Sequence, residues 1–422
     1  MLFTALVASA LLTADPVEPL FPQLDALYCD LHQNPELSHQ EVKTSAKLAD
    51  SLKKLGYDVT TGVGGTGIVA VMKNGPGATV LLRTDLDALP VEEKTGLPYA
   101  SKVQAKDDQG ATVNVMHACG HDLHMTMWLG AATVLAQDKK SWRGTLVLVG
   151  QPAEERGEGA RGMIKDGLLT RFPRPDYAIA LHDHADLAST QVGVVSGFIC
   201  ANVDSVDVNI YGRGGHGAYP QLTVDPIVIG ARVVSALQTI VARENSPFDP
   251  AVVTVGSFHA GTKHNIIPEE AKLQLTVRSY KPEVRKKLLA AIERIVKAEA
   301  EAAGAPKPPE VKVIESNSAT YNDPKLAERL RAAMVKDMGE SAVTDGEQVM
   351  GAEDFSELHL AGVPSFMLWI GATEPSKLKQ IHASGTPVIS THSPQFAPDK
   401  DHAIRTGIHA YLAMVHELLP VK

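Results

Sequence analysis

G-T-L-V-L-V-G-Q-P-A-E-E (144–155) carries an almost unbroken apolar run into two adjacent carboxylates, Glu154 and Glu155. A strand that is apolar on both faces is buried on both, as a central strand of a parallel sheet is. Adjacent carboxylates repel each other unless a cation or a proton lies between them. At the end of a buried strand they read as the edge of a site, with a solvated strand end as the plain alternative. T-V-L-L-R (79–83), D-Y-A-I-A-L-H (176–182) and S-F-M-L-W-I (365–370) have the same apolar character. Helical spacing fills the intervals: Leu20–Leu31, ended by Asn34 and Pro35; a helix opened by a Ser38/Glu41 capping box and stopped by Gly56; Met125–Ala136; Lys325–Met338; and a terminal helix from His402. Alternating strands and helices predict an α/β fold: a catalytic domain with a mixed, largely parallel sheet flanked by helices. Such sheets bind ligands beyond the carboxyl ends of their strands.

Between residues 198 and 316 the pattern changes. V-D-V-N-I-Y (206–211) alternates like a half-exposed strand. A helix at 226–243, strands at 251–259 and 271–279, a helix at 282–303 and a strand at 310–315 complete a βαββαβ order, the ferredoxin-like α+β arrangement. It reads as a smaller domain inserted into the first, leaving 15–197 and 317–422 as the two parts of the larger one.

A chain of 422 residues is long for one core, in line with two domains. The net charge of −9 argues against nucleic acid or an anionic membrane as partner. Three cysteines, Cys29, Cys119 and Cys200, make no disulfide framework. Met1–Ala14 has an apolar run of signal-peptide length with small residues at Ala8 and Ala10, though no basic start. It suggests a periplasmic or secreted protein, with a cytoplasmic one as the alternative.

The densest chemistry is H-A-C-G-H-D-L-H (117–124). A thiolate and an imidazole, at Cys119 and His121, are good ligands for zinc-like metals, and Gly120 lets the chain turn so that both reach one point. His117 and His124 are further possible ligands, and Asp122 could fix the tautomer of a ligating histidine. His182, at the end of its predicted strand, is a further candidate. So is His392 in T-H-S-P (391–394), with which His382 and His402 compete on composition alone. G-R-G-G-H-G (212–217) is a flexible loop presenting His216; it lacks a phosphate-binding fingerprint. Arg278, on an alternating strand, could pair with a carboxylate, but by its residues alone it reads as an exposed strand residue. G-A-E-D-F-S (351–356) is a second acidic turn with no assigned role.

Together these stretches resemble one family: the metallo-amidohydrolases and carboxypeptidases of peptidase family M20, in the branch of hippurate hydrolase, auxin-conjugate hydrolases and bacterial N-acyl-amino-acid amidohydrolases. L-H-Q-N-P-E-L-S (31–38), L-R-T-D-L-D-A-L-P (82–90), T-G-L-P-Y-A-S (95–101), Q-P-A-E-E (151–155), H-N-I-I-P (264–268) and A-E-D-F-S (352–356) carry the resemblance with the motifs above. It implies two divalent ions per subunit, of zinc, manganese, cobalt or nickel, held by Cys119, His121, Glu155, His182 and His392. Glu154 would be the general base. His216 would reach into the partner subunit's site, and Asn265 and Arg278 would meet the carboxylate end of the substrate. The smaller domain would dimerise. Arg83 stands where many relatives of the wider superfamily have histidine, which leaves Asp85 a supporting role, and His117, Asp122 and His124 would likewise support Cys119 and His121. The expected reaction is hydrolysis of an N-acyl amino acid, with small dipeptides as the alternative substrate. A non-catalytic binding protein on the same fold is the remaining reading.

Overall fold

In a computed structural model, residues 15–421 are described; the signal-like stretch lies outside them. An eight-stranded sheet organises the larger part of the chain. Its central strands Gly144–Gln151, Thr79–Asp85, Tyr177–Ala188 and Ser365–Thr373 run parallel. Gly67–Asn74 and then Asp58–Val63 add antiparallel on one side, and Val192–Val194 and Val343–Asp345 close the other. Thr79–Asp85 is buried along nearly its whole length, the apolar Val80–Leu82 as expected and the polar Arg83, Thr84 and Asp85 with them. Helices Phe21–Gln33, Val42–Lys54, His121–Gln137, Pro324–Met338 and Lys400–Leu418 pack over one face around Trp128, Phe366 and Tyr411. Shorter segments bearing Met163, Phe355 and Leu358 cover the other.

Residues 202–317 form the βαββαβ unit. Its four-stranded antiparallel sheet has the order Ala251–Ala260, Glu270–Ser279, Asn202–Tyr211, Glu310–Asn317. Helices Pro226–Thr239 and Pro282–Ala302 bury Val233, Leu237, Leu288 and Ile292 against it. A two-stranded ladder of Gly197–Cys200 with Thr320–Asn322 marks the double crossing between the two sheets.

Three local expectations are corrected. The Ser38/Glu41 capping box does not form: Glu36 accepts from Lys43 N and Thr44 N, while Ser38 Oγ donates to Asp87. The Met125 helix begins four residues earlier, at His121, because left-handed Gly120 (φ 74°) starts it directly behind the metal-ligand motif. The strand expected to end at His182 continues to Ala188, since Ser365–Thr373 keeps pairing with it past His182. The strand Asp58–Val63 and the hairpin Gln104–Lys106/Thr112–Asn114 carry mixed, exposed side chains whose pattern gave no warning of them.

Candidate metal centre

The centre forms at the carboxyl ends of the parallel strands, where four separate segments deliver their donors. Cys119 and His121 flank Gly120 at the head of their helix. The strand Gly144–Gln151 ends in a left-handed residue, Ala153 (φ 49°), and a 3₁₀ turn carrying Glu154 and Glu155. His182 lies within its strand, and His392 adopts a left-handed backbone (φ 66°) whose N–H donates to Ala118 O at 2.7 Å.

Their donor atoms converge. Cys119 Sγ is 3.6 Å from His182 Nε2 and 3.3 Å from His392 Nε2. His392 Nε2 is 3.6 Å from Glu155 Oε1. His121 Nε2 is 3.7 Å from Asp85 Oδ2 and 3.9 Å from both Glu154 Oε2 and Glu155 Oε1. Ligand atoms sharing a tetrahedral ion at ordinary bond lengths stand about 3.3–3.8 Å apart. Buried His121 Nε2 and Glu155 Oε1 have no hydrogen-bond partner, a costly condition that coordination would relieve. The thiol, imidazole and carboxylate donors therefore fit a divalent, zinc-like ion, and their overlapping groups provide for more than one.

The surrounding contacts orient the donors. His121 Nδ1 meets the Asp87 carbonyl at 2.7 Å and His182 Nδ1 the Asp183 carbonyl at 2.8 Å. A carbonyl only accepts, so each Nδ1 carries the proton and each Nε2 presents its lone pair to the centre. His124 bridges Asp85 Oδ1 and Asp183 Oδ1 at 2.9 Å each. Burial opposes a charge on His124, but those two carboxylates raise its pKa to about 9. Burial, reinforced by Glu353 and Glu155, pushes the Glu154 carboxyl well above its ordinary range; burial pushes Glu155 to about 7. A divalent cation answers this electrostatic demand.

One part of the site was not recognised from the sequence. Arg83, 1% exposed, donates to Gln151 Oε1, to Asp85 Oδ2, to both Glu353 oxygens and to Asp354 Oδ1 at 2.7–3.2 Å. The acidic turn at 351–356 thus supplies partners for a buried guanidinium behind the donors. The available signal was an arginine closing an otherwise apolar strand, since buried arginine needs carboxylates.

The centre opens into a cleft of about 1280 Å³ between the two sheets. Cys119, Glu154, Glu155, His182 and His392 line one side; Arg278, Thr276, Val313 and Asn317 line the other. Arg278 Nη1 donates to Met350 O at 2.8 Å. His216 and Asn265 are not in this cleft. They sit exposed on a small ribbon, Gly215–His216 with Ile266–Ile267, and so are not brought to the centre of their own chain.

The sequence profile of Peptidase family M20/M25/M40 matches residues 81–416. Thermostable carboxypeptidase 2 of Saccharolobus solfataricus is 37% identical over 397 residues, 93% of either chain. Hippurate hydrolase of Campylobacter jejuni is 41% identical over 273 residues, 64% of this chain and 68% of the relative. The crystal structure of the Bacillus subtilis YXEP protein, a dinuclear metal binding peptidase from the M20 family, matches with a TM-score of 0.75 at 29% identity, covering 94% of this chain and 98% of that one. The chain belongs to Peptidase family M20/M25/M40.

Proposed function

We propose that the protein is a two-metal amidohydrolase that cleaves N-acyl amino acids into a carboxylic acid and an amino acid. The observation that carries this reading is the convergence of Cys119, His121, Glu155, His182 and His392 beside the buried carboxylate of Glu154, at the head of a cleft whose opposite wall presents Arg278. Bound divalent ions supply Lewis acidity at the amide carbonyl and lower the pKa of water. Glu154 takes the proton of the attacking water and delivers it to the leaving amine. Arg278 holds the free carboxylate of the substrate. The Asp87 and Asp183 carbonyls keep the imidazoles of His121 and His182 in place.

A hydrolysis screen of acetyl-, benzoyl- and indoleacetyl-amino acids and of dipeptides, with zinc, manganese or cobalt added to apo-protein, tests the reading. Glu154→Gln is expected to keep its metal and lose turnover by about 10²–10⁴-fold, the range for a general base. Near-normal turnover in metal-loaded Glu154→Gln would refute it. Dipeptides are the second reading, favoured by the similarity to a carboxypeptidase along nearly the whole chain. Dipeptide cleavage with no turnover of acylated amino acids would select it.

We also propose a homodimer. The helix Pro226–Thr239 is strongly apolar yet leaves Ile227 and Val228 exposed, and beside it Ala251–Ala260 is an unpaired sheet edge. In such a dimer His216 and Asn265, which lie outside their own chain's cleft, would serve the partner's.

A further inference from the structure

Among the described residues, three that are not glycine have left-handed backbone: His39 (φ 65°), Ala153 (φ 49°) and His392 (φ 66°). His392 is a donor of the metal centre. The other two are remote in sequence and meet at one side chain. Glu41 Oε1 accepts from His39 N at 2.9 Å and from Ala153 N at 2.8 Å, while Oε2 accepts from Thr66 Oγ1 at 2.6 Å. The Glu41 carboxylate is fully buried, and those three bonds are its anchoring. Ala153 immediately precedes Glu154. On the far side of Glu154, Glu155 N donates to Asp87 Oδ2 at 3.0 Å, and Ser38 Oγ donates to that same oxygen at 2.6 Å. The peptide N–H on either side of Glu154 is therefore gripped by a carboxylate. Both grips trace back to the segment N-P-E-L-S-H-Q-E (34–41), which contributes no atom to the metal centre.

The geometry explains why a grip is needed. Consecutive residues of an extended strand point to opposite faces. Glu154 and Glu155 nevertheless both reach to 3.9 Å from His121 Nε2. The left-handed Ala153 ends the extended run and leads into the 3₁₀ turn that carries both carboxylates, and an L-residue with a Cβ adopts that conformation only when its surroundings hold it there. We propose that Glu41 and the Ser38–Asp87 pair are positioning residues that lock the Ala153–Glu155 turn and so aim the base Glu154 and the ligand Glu155 together at the centre. The proposal rests on the amidohydrolase reading for the roles of those two carboxylates, but not for the lock itself.

Four variants test it: Glu41→Ala, Glu41→Gln, Ser38→Ala, and Glu41→Ala combined with Ala153→Gly. Each is measured for kcat and KM on an N-acyl amino acid and for amide hydrogen exchange in residues 152–156. Glu41→Ala is expected to lower kcat about 100-fold with little change in KM, as a small misplacement of catalytic groups does. It should also expose residues 152–156 to exchange. Glu41→Gln should restore most of both, because its amide oxygen can accept from His39 and Ala153 while its NH₂ donates to Thr66. Adding Ala153→Gly should recover at least about tenfold in kcat, glycine being free of the left-handed penalty. Ser38→Ala should show a smaller loss of the same kind, and it carries the test if Glu41→Ala does not fold. Unchanged kcat and exchange in Glu41→Ala would overturn the proposal. So would a loss that neither glutamine nor Ala153→Gly relieves. If the wild type hydrolyses no acylated amino acid or dipeptide, the functional reading fails while the exchange data still decide the lock.

Discussion

Replacing Arg83 by methionine tests the electrostatic foundation of the site. The guanidinium makes five hydrogen bonds of 2.7–3.2 Å to Gln151, Asp85, Glu353 and Asp354, all buried. Methionine fills similar space but leaves those carboxylates without their cation. Removing one partner of a buried charge network costs about 3–5 kcal/mol. The loss should depend on pH. Burial already pushes Asp354 up to about 7, against the pull of Arg83. Without Arg83 the cluster must take up protons to stay folded. A carboxyl whose folded pKa lies above its unfolded one loses stability as pH rises through the folded value. The penalty should therefore be larger at pH 8 than at pH 5.5, by at least about 1 kcal/mol. Urea unfolding of apo-protein followed by tryptophan fluorescence reports it, because Trp128, Trp142 and Trp369 all lie in the part of the chain built on the eight-stranded sheet. Arg83→Lys should fall between the two, a point charge being unable to span three carboxylates. A loss below about 1 kcal/mol, or one larger at pH 5.5, would refute the reasoning.

Three further outcomes follow from other contacts. His32 lies between Asp122 Oδ2 at 2.6 Å and Glu93 Oε1 at 3.1 Å; burial opposes its charge, but these carboxylates raise its pKa to about 10. Its contribution is full below the unfolded value near 6.5 and is lost as pH rises to about 10, so His32→Gln should flatten the decline of stability over that window; equal slopes would refute it. In Gly120→Ala the new Cβ would meet Asp183 Oδ1 at 2.4 Å with φ at 74°, so a lowered melting temperature and weaker zinc binding in competition with a chelator are expected, and wild-type zinc affinity would argue against the placement of Cys119 and His121. If His216 serves the partner's cleft, mixing inactive His216→Ala and Glu154→Gln chains should restore up to roughly a quarter of wild-type activity through mixed dimers, and no recovery after verified subunit exchange would count against it.

Much of the architecture was legible because burial writes itself into local sequence. Leu81, Leu82, Val147 and Leu148 are buried in strands flanked on both sides, so their runs show no alternation. Val206, Val208 and Ile210 alternate with Asp207 and Asn209 because only one face of their sheet is covered. What failed was local competition among polar groups. Ser38 and Glu41 have the spacing of a capping box, but Asp87 and the Ala153 N–H, both distant in sequence, took those side chains instead. The strand through His182 was cut short because polar residues at 182–184 look like a strand end; the neighbouring strand Ser365–Thr373 keeps it paired.

The kinds of donor available, and the elements that carry them, are legible in the residues alone. Side-chain chemistry belongs to the residue, and the periodicity of burial belongs to the element. The sequence also marked 117–124 and 151–155 as chemistry-bearing, because a cysteine among three histidines, and paired carboxylates at the end of an apolar strand, have few other uses. Composition leaves His392 level with His382 and His402; the family resemblance points to His392, and the folded chain brings it and His182 beside Cys119. Only the tertiary structure showed that His216 and Asn265 are remote from their own chain's centre, that Arg83 neutralises the turn at 353–354, and that Glu41 grips the backbone ahead of Glu154. Those are contacts between segments far apart along the chain. Their free energy depends on distance and dielectric in three dimensions, and no local pattern of residues records either.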